Sequence, residues 1–476
     1  MYLGIDLGTS GVKALLIGDD QRVIASASSP LEVSRPHTGW SEQDPADWLT
    51  ATRKALHDLA AQQALAGVKG IGLSGQMHGA VTLDAADRVI RPAILWNDSR
   101  AHAQAARLDA MPEFRAISGN IVFSGFTAPK LVWMAEEEPD SFARVDCVLL
   151  PKDYLRLWLT GERVAEMSDA AGTSWLDCGL RAWSDQLLEA SGMRHDQMPA
   201  LIEGDAVSGG LRAEIAAEFG MTPGTPVAGG AGDNAATAIG AATVVEGQGF
   251  VSLGTSGVLF AATDRYMPRP ESAVHTFCHA LPGMWQQMGV ILSASAAMTW
   301  WAGIAGRSPA ELTAELGADL RAPGPVSFLP YLSGERTPHN NATARASFEG
   351  LSARSDRLAM TQAVVEGVAF AFADCLAALH DAGSQPQTLL ALGGGARSDY
   401  WLKVIATALD LPVLVPDGGD YGAAFGAARL GMMAATGADP VKICTPPTIA
   451  AEILPDPTLR PAFEEALARF RALCRG

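Results

Sequence analysis

Cysteine is scarce and unpatterned in this chain. The 476 residues contain six, at 147, 178, 278, 375, 444 and 474, and no two are spaced Cys-x-x-Cys. That excludes the common zinc and dithiol motifs, and scattered thiols fit a chain kept reduced in the cytoplasm. Positive charge is in deficit too: 35 Lys and Arg stand against 52 Asp and Glu, a net charge of −17. Such a balance argues against nucleic acid or an anionic membrane as partner. An anionic ligand must then be held locally, by backbone dipoles, a cation or a few basic side chains. No basic n-region followed by an apolar stretch opens the chain, so no secretory signal is expected. The one long uncharged segment, Pro282–Gly306, carries Gln286, Gln287 and several Ser, Gly and Ala, and reads as a buried helix rather than a membrane span. Neither a Walker A loop nor a Gly-x-Gly-x-x-Gly turn after the first strand is present. No low-complexity tract or flexible linker interrupts the chain.

What the chain does contain is a duplication. Leu-Gly-Thr-Ser-Gly-Val occurs at Leu7–Val12 and again at Leu253–Val258, an offset close to half the length. Each copy follows a short apolar run and reads as a strand entering a glycine turn. One such turn is ordinarily a hairpin. Two at half-length spacing, the first flanked by Asp6 and Lys13, instead suggest a nucleotide triphosphate held between two domains, because such turns aim several N–H groups at one point. A chain of this length is expected to form two cores. We place the domains at 1–245 and 246–476, with an α-rich insertion over about 100–220.

The opening reads as a β-meander. Helical periodicity over Asp44–Gln63 follows, with Ser41 or Asp44 as N-cap, and further strands are expected at Val68–Ser74, Val81–Asp84 and Ile90–Trp96. Helices are predicted at Arg100–Met111, Ala128–Glu138, Pro151–Thr160 and Ser184–Ser191, then a strand at Pro226–Gly229 and a small-residue helix over Ala231–Val245. The second half predicts a helix at Leu358–Ala382, a strand at Thr388–Leu392 and helices at Tyr400–Leu409 and Pro461–Arg475. Strands alternating with helices after an antiparallel start imply an α/β fold with mixed sheets.

Several polar residues sit where such folds do chemistry. Asp6 ends the first strand beside the first turn; a carboxylate there suits Mg²⁺, against the alternative of capping its own turn. Asp233, in Gly229-Gly-Ala-Gly-Asp-Asn234, stands as either a general base for phosphoryl transfer or a helix N-cap. Gly393-Gly394-Gly395-Ala396 either lets a planar group approach the backbone or merely supplies a positive φ. Met77 and His78 at one strand end, and Trp96 and Asp98 at another, could hydrogen-bond a polyol.

These segments together resemble the FGGY carbohydrate kinases, within the actin/hexokinase/Hsp70 ATPase superfamily. The resemblance runs over nearly the whole chain. It is carried by Tyr2–Lys13, Ser34–His37 with Trp40–Asp44, Gly75–Gly79, Ile94–Asp98, Leu150–Arg156, Met167–Thr173, Ser252–Gly257 and Phe328–Asn341. A family signature, Gly-x-Thr-x-x-Lys-Leu-x-Trp-Met-x-Glu-Glu, is met in full at Gly125–Glu137. A second, from Phe348 to Glu366, departs only at Ala359, where a polar residue is usual. The resemblance implies two ribonuclease H-like domains with ATP in the cleft between them. It implies that Gly8, Thr9, Ser10 and Lys13 grip phosphates on one side and Gly254, Thr255 and Ser256 on the other, and that Gly394, Gly395 and Ala396 face adenosine. It makes Asp233 the general base and Asp6 the metal-associated carboxylate. Met77, His78 and Asn234 become sugar contacts, with Trp96 and Asp98 as weaker ones. The implied activity is ATP- and Mg²⁺-dependent phosphorylation of a ketopentose, D-xylulose at its C5 hydroxyl, by a chain that can be a homodimer. Ribulose, fuculose, gluconate or glycerol as acceptor, and a non-catalytic ATP clamp of the actin or Hsp70 kind, are the alternatives.

Overall fold

The computed structural model describes residues 1–418 and 421–474. Two seven-stranded mixed sheets organise them. In the first, Tyr2–Leu7 is central, antiparallel to Gly11–Ile17 and parallel to Gly70–Gly75. Val23–Pro30 extends the antiparallel side; Pro226–Ala228 and then Val207–Gly210 extend the other. In the second, Gln248–Leu253 takes the same place, antiparallel to Gly257–Thr263 and parallel to Thr388–Leu392. Trp285–Ile291 and His275–Cys278 continue one side, Val413–Pro416 and the antiparallel Ile449–Ile453 the other. Six strands of each sheet therefore share one order and one pattern of directions, His275–Cys278 being additional in the second, and the duplicated hexapeptide forms the equivalent turn in each. Both central strands bury residues of either face, among them Tyr2, Leu3 and Ile5, and Phe250 and Val251, as strands covered by helices on both sides must.

Helix Pro45–Gln62 covers one face of the first sheet, with Trp48, Leu56 and Leu59 packed among Leu3, Ile5 and Leu7. Asp44 is its cap, accepting the Ala46 N–H at 2.9 Å. The opposite face is covered by Asp233–Gly240 and by Ala423–Thr436, the latter from the C-terminal half. Contact there is backbone-close: a Cβ on Gly72 would lie 1.7 Å from the Ala427 carbonyl oxygen. In the second half, Arg357–Asp381 and Asp399–Leu409 build the core against the sheet. Arg357–Asp381 is long and apolar enough to cross a membrane, but 89% of its apolar window is buried inside the fold.

Four expectations change. Pro282–Gly306 is not one helix but strand Trp285–Ile291 followed by helix Ser295–Ala305; a strand buried on both faces, Gln286 and Gln287 included, shows no polar–apolar alternation. Ala231 and Gly232 pair with Ser74 and Gly75, so the helix begins only at Asp233. Of Ile90–Trp96 only Ala93–Ile94 is paired, Pro92 having no N–H to give. The 100–220 region has the four expected helices, but short strands lie among them and Val207–Gly210 already belongs to the first sheet. Segments of two to four residues are too short to show a period.

Candidate active site

The first turn is closed by the Gly8 N–H donating to Gly11 O at 3.0 Å, while the N–H groups of Thr9 and Ser10 meet no acceptor among the described residues. The Thr9 hydroxyl, expected to face a phosphate, is engaged: it donates to Gln76 Oε1 and accepts from Trp96 Nε1, both at 2.9 Å. Gln43 completes the arrangement. Its amide donates to the carbonyls of Thr9 and Glu32 and its Oε1 accepts from Gln76 and Trp48. Backbone N–H groups and the exposed Ser10 hydroxyl are thus what this turn leaves for an anion.

The second turn is held from below, the carbonyls of Gly254 and Thr255 accepting the N–H groups of Ser295 and Ala294 at 2.9 and 3.0 Å. Thr255 is exposed, and a cavity of about 890 Å³ opens beside it, lined also by Gly254, Ser295, Gly394, Gly395 and Tyr400. The positive-φ reading of the triple glycine holds at its first residue. Gly393 has φ +84° and packs on Leu253, whereas a Cβ on Gly394 would meet nothing within 4 Å. Ala396 lines a neighbouring cavity of about 690 Å³ instead, with Thr237, Ser252 and Tyr421.

Asp6 pairs across the strands with Lys13 on one side and Ser74 on the other. Its Oδ1 is buried without a hydrogen-bond partner. Burial raises this carboxyl, with Ser74 and the Lys13 charge opposing. Asp233 opens helix Asp233–Gly240, but the N-cap is Gly232, so the capping reading of Asp233 falls. Its Oδ1 accepts from Asn234 N at 2.7 Å and Asn234 Nδ2 at 3.0 Å; its Oδ2 has no partner among the described residues. Burial, then the neighbouring Asp6 charge, raises this carboxyl to about 6. That leaves a carboxylate ionised at neutral pH yet basic enough to take a proton.

The loop before Asp233 rests on buried charge. Lys152 Nζ reaches Asp153, Asp169 and Glu166 at 2.6, 3.2 and 3.4 Å, all four side chains fully buried. Arg156 pairs with Asp153 at 2.6 Å and donates to Gly229 O. Ser168 Oγ, bonded to Glu166, accepts the Gly232 N–H at 3.1 Å. Three acids face two bases, and burial pushes the Asp169 carboxyl well up, which evens the balance.

His78 sits at φ +68°, a backbone region costly for a side chain bearing Cβ. The signature Gly125–Glu137 holds it there. Thr127 Oγ1 and Lys130 Nζ donate to the His78 carbonyl at 3.1 and 2.7 Å, and Phe126 stacks on the ring at 4.5 Å. Gly125 is needed because a Cβ there would lie 2.0 Å from Trp96 O. Burial, above all, lowers the imidazole to about 3, so it is neutral. Nδ1 lies 2.7 Å from Gly172 O; a carbonyl only accepts, so Nδ1 carries the proton and Nε2 is left as an acceptor. Met77 is buried against Gly232, next to Asp233.

Trp96 is 43% exposed, its indole tied to Thr9. Asp98 differs from expectation. It is buried and accepts from Ser41 N at 2.6 Å, Arg100 N and Nε at 2.9 Å, and Arg100 Nη2 at 2.7 Å. With both oxygens engaged, it anchors the Trp96 turn rather than facing a ligand. Sequence reasoning missed Gln43, Gln76, Thr127 and Lys130. The signal was there: a lysine inside an apolar helical stretch needs a buried partner.

The model of the FGGY family of carbohydrate kinases, N-terminal domain, matches residues 1–240, and that of the C-terminal domain matches 249–435. A protein of Escherichia coli strain K12 named xylulose kinase is 50% identical over 438 residues, 91% of this chain and 90% of that one. A solved structure from Brucella ovis, named as a xyloylose kinase, superposes with a TM-score of 0.97 at 62% identity, covering 99% and 98% of the two chains. The xylulose kinase structure from Rhodospirillum rubrum gives 0.92 at 29% identity, over 99% and 98%. The chain belongs to the FGGY family of carbohydrate kinases.

Proposed function

We propose that this chain transfers the γ-phosphoryl group of ATP to the C5 hydroxyl of D-xylulose, giving D-xylulose 5-phosphate and ADP. The observation that carries the reading is Asp233: one oxygen held by Asn234, the other unengaged, poised near pH 6. Relatives named xylulose kinase that align end to end support the choice of sugar.

In this reading the sugar lies against Met77, His78, Trp96 and Asn234. Asp233 Oδ2 takes the C5 hydroxyl proton as that oxygen bonds to the γ-phosphorus; the bond to the bridging oxygen breaks, and ADP leaves with the electron pair. The free N–H groups of the first turn and the second turn stabilise charge on the phosphoryl oxygens in flight. Adenosine occupies the larger cavity beside Gly394 and Gly395. The orphaned Asp6 oxygen fits a Mg²⁺ ion, which would neutralise charge on the nucleotide phosphates. The six cysteines are unpaired, five of them buried, which supports a reducing cytoplasm as the setting.

The test is ADP release from MgATP with D-xylulose, D-ribulose, L-ribulose, gluconate and glycerol, in the native protein and in Asp233→Asn. Strong stimulation by D-xylulose alone, abolished by the substitution, is expected. A stronger response to another acceptor would replace the sugar and keep the mechanism; a fully active Asp233→Asn would remove the base.

A further inference from the structure

Arg336 lies in the second half, and both its neighbours are pinned. Glu335 Oε1 accepts the N–H groups of Arg336 at 2.7 Å and Leu292 at 3.0 Å. Thr337 bonds through N–H and hydroxyl to Val290 O and Ala273 O. The guanidinium is carried across to the first half, its carbon 4.7 Å from the centre of the Phe123 ring. Phe123 belongs to an aromatic cluster, with Phe126, His275 and Phe277, that backs the His78 imidazole. Arg336 is near enough to His78 for its charge to help keep that ring neutral.

A guanidinium brings five donors. Among the described residues its one side-chain hydrogen bond is Nη1 to His275 Nε2, at 3.3 Å. No carboxylate among the described residues pairs with it: Glu335 has turned one oxygen to backbone amides and the other is buried without a partner. The side chain is part-buried, so the donors that protein groups leave over stay open to the acceptors of a ligand. The opposite holds one residue cluster away. His78 Nε2 offers a lone pair, so it suits a hydroxyl, and Asp233 takes the proton of the hydroxyl being phosphorylated. An open-chain ketose presents hydroxyls together with an acceptor-only carbonyl oxygen, which matches this pairing of donors and acceptors.

We propose that Arg336 is a specificity-determining sugar ligand contributed by the second half, donating to the ketone oxygen of the bound ketose. It rests on reading the Met77–His78 face as the sugar site. Because the loop is anchored on the second sheet while His78 and Phe123 belong to the first half, the contact also couples sugar binding to the relation between the halves.

The test compares Arg336→Gln and Arg336→Lys with the native protein, using D-xylulose as substrate and its C2-reduced pentitols, xylitol and D-arabitol, as competitive inhibitors. The glutamine variant should raise the KM for D-xylulose roughly 10- to 100-fold, the range for losing one charge-assisted hydrogen bond. Pentitol inhibition and the KM for ATP should stay within about threefold, and lysine should recover part of the loss. Unfolding temperature is read alongside. A KM for D-xylulose unchanged in Arg336→Gln overturns the proposal. So does an equal loss for ketose and pentitols, or a loss that follows the unfolding temperature, either of which makes Arg336 a structural clasp. A native protein inert to D-xylulose would instead strike at the proposed function, and the two failures are thus separable.

Discussion

Asp233 joins three conditions in one side chain: an immobilised oxygen, a free one, and a proton affinity raised by burial and by Asp6. Asp233→Asn should cost ~10²–10⁴ in kcat, the range for a general acid–base group, with nucleotide affinity little changed. The same carboxyl sets a pH dependence. Only its ionised form accepts a proton, so kcat/KM should fall about tenfold per unit as pH drops below about 6; a flat profile across that region would dismiss the role. The stability effect has the opposite sign. A carboxyl raised from its unfolded value to about 6 favours folding fully only at low pH, and that contribution is lost as pH rises through about 6. At neutral pH Asp233→Asn should therefore stabilise the fold, by at most about 3 kcal/mol in denaturant unfolding.

Among the elements, helix Thr127–Glu137 is the one whose function is clearest from its contacts. Its N-terminal turns hold His78 in a positive-φ conformation through Thr127, Phe126 and Lys130. Lys130 is buried, and burial lowers its ammonium well below the usual range. Replacing a buried charge by an apolar side chain of similar length is often neutral or stabilising. Lys130→Met should therefore leave the unfolding temperature unchanged or higher, while releasing the His78 carbonyl and raising the sugar KM about 10-fold, with the ATP KM unaffected. Titrating both substrates separates the two effects; an unaltered sugar KM would mean that the signature lysine does not position His78.

At the scale of the molecule, the two halves are joined through glycine-mediated contact. Helix Asp233–Gly240 packs on Ala423–Thr436, where a Cβ on Gly426 would lie 1.7 Å from Ala236 O. Gly426→Ala must push apart the helix that begins with Asp233 and the helix supplied by the other half. It should cost about 1–3 kcal/mol and lower kcat as well. Gly303, also within a helix, has open space around it: a Cβ added there would meet nothing within 4 Å. Gly303→Ala should stabilise by about 0.5–1 kcal/mol and leave kcat alone. Denaturation midpoints and turnover of the pair distinguish a coupling effect from a general response to added methyl groups.

The duplicated hexapeptide determined more than any other feature of the sequence. Two copies at half-length require two equivalent strand–turn–strand units, and each lies at the centre of six strands in the same order. Helices with a strong apolar period, such as Pro151–Thr160, were legible to the residue. Strands of two or three residues and the strand hidden in Pro282–Gly306 were not, because a period needs length and a polar face. Candidate residues were legible wherever glycine and a carboxylate shared a motif. Their division of labour was not: that the Thr9 hydroxyl is spent on Gln76, that Asp98 is locked to Ser41 and Arg100, and that Lys130 holds His78. Those facts depend on side chains brought together from 52 to 67 positions apart or on which face of a turn is buried. Only the packed fold decides them, since a local pattern specifies direction along the chain and not the partner that fills it.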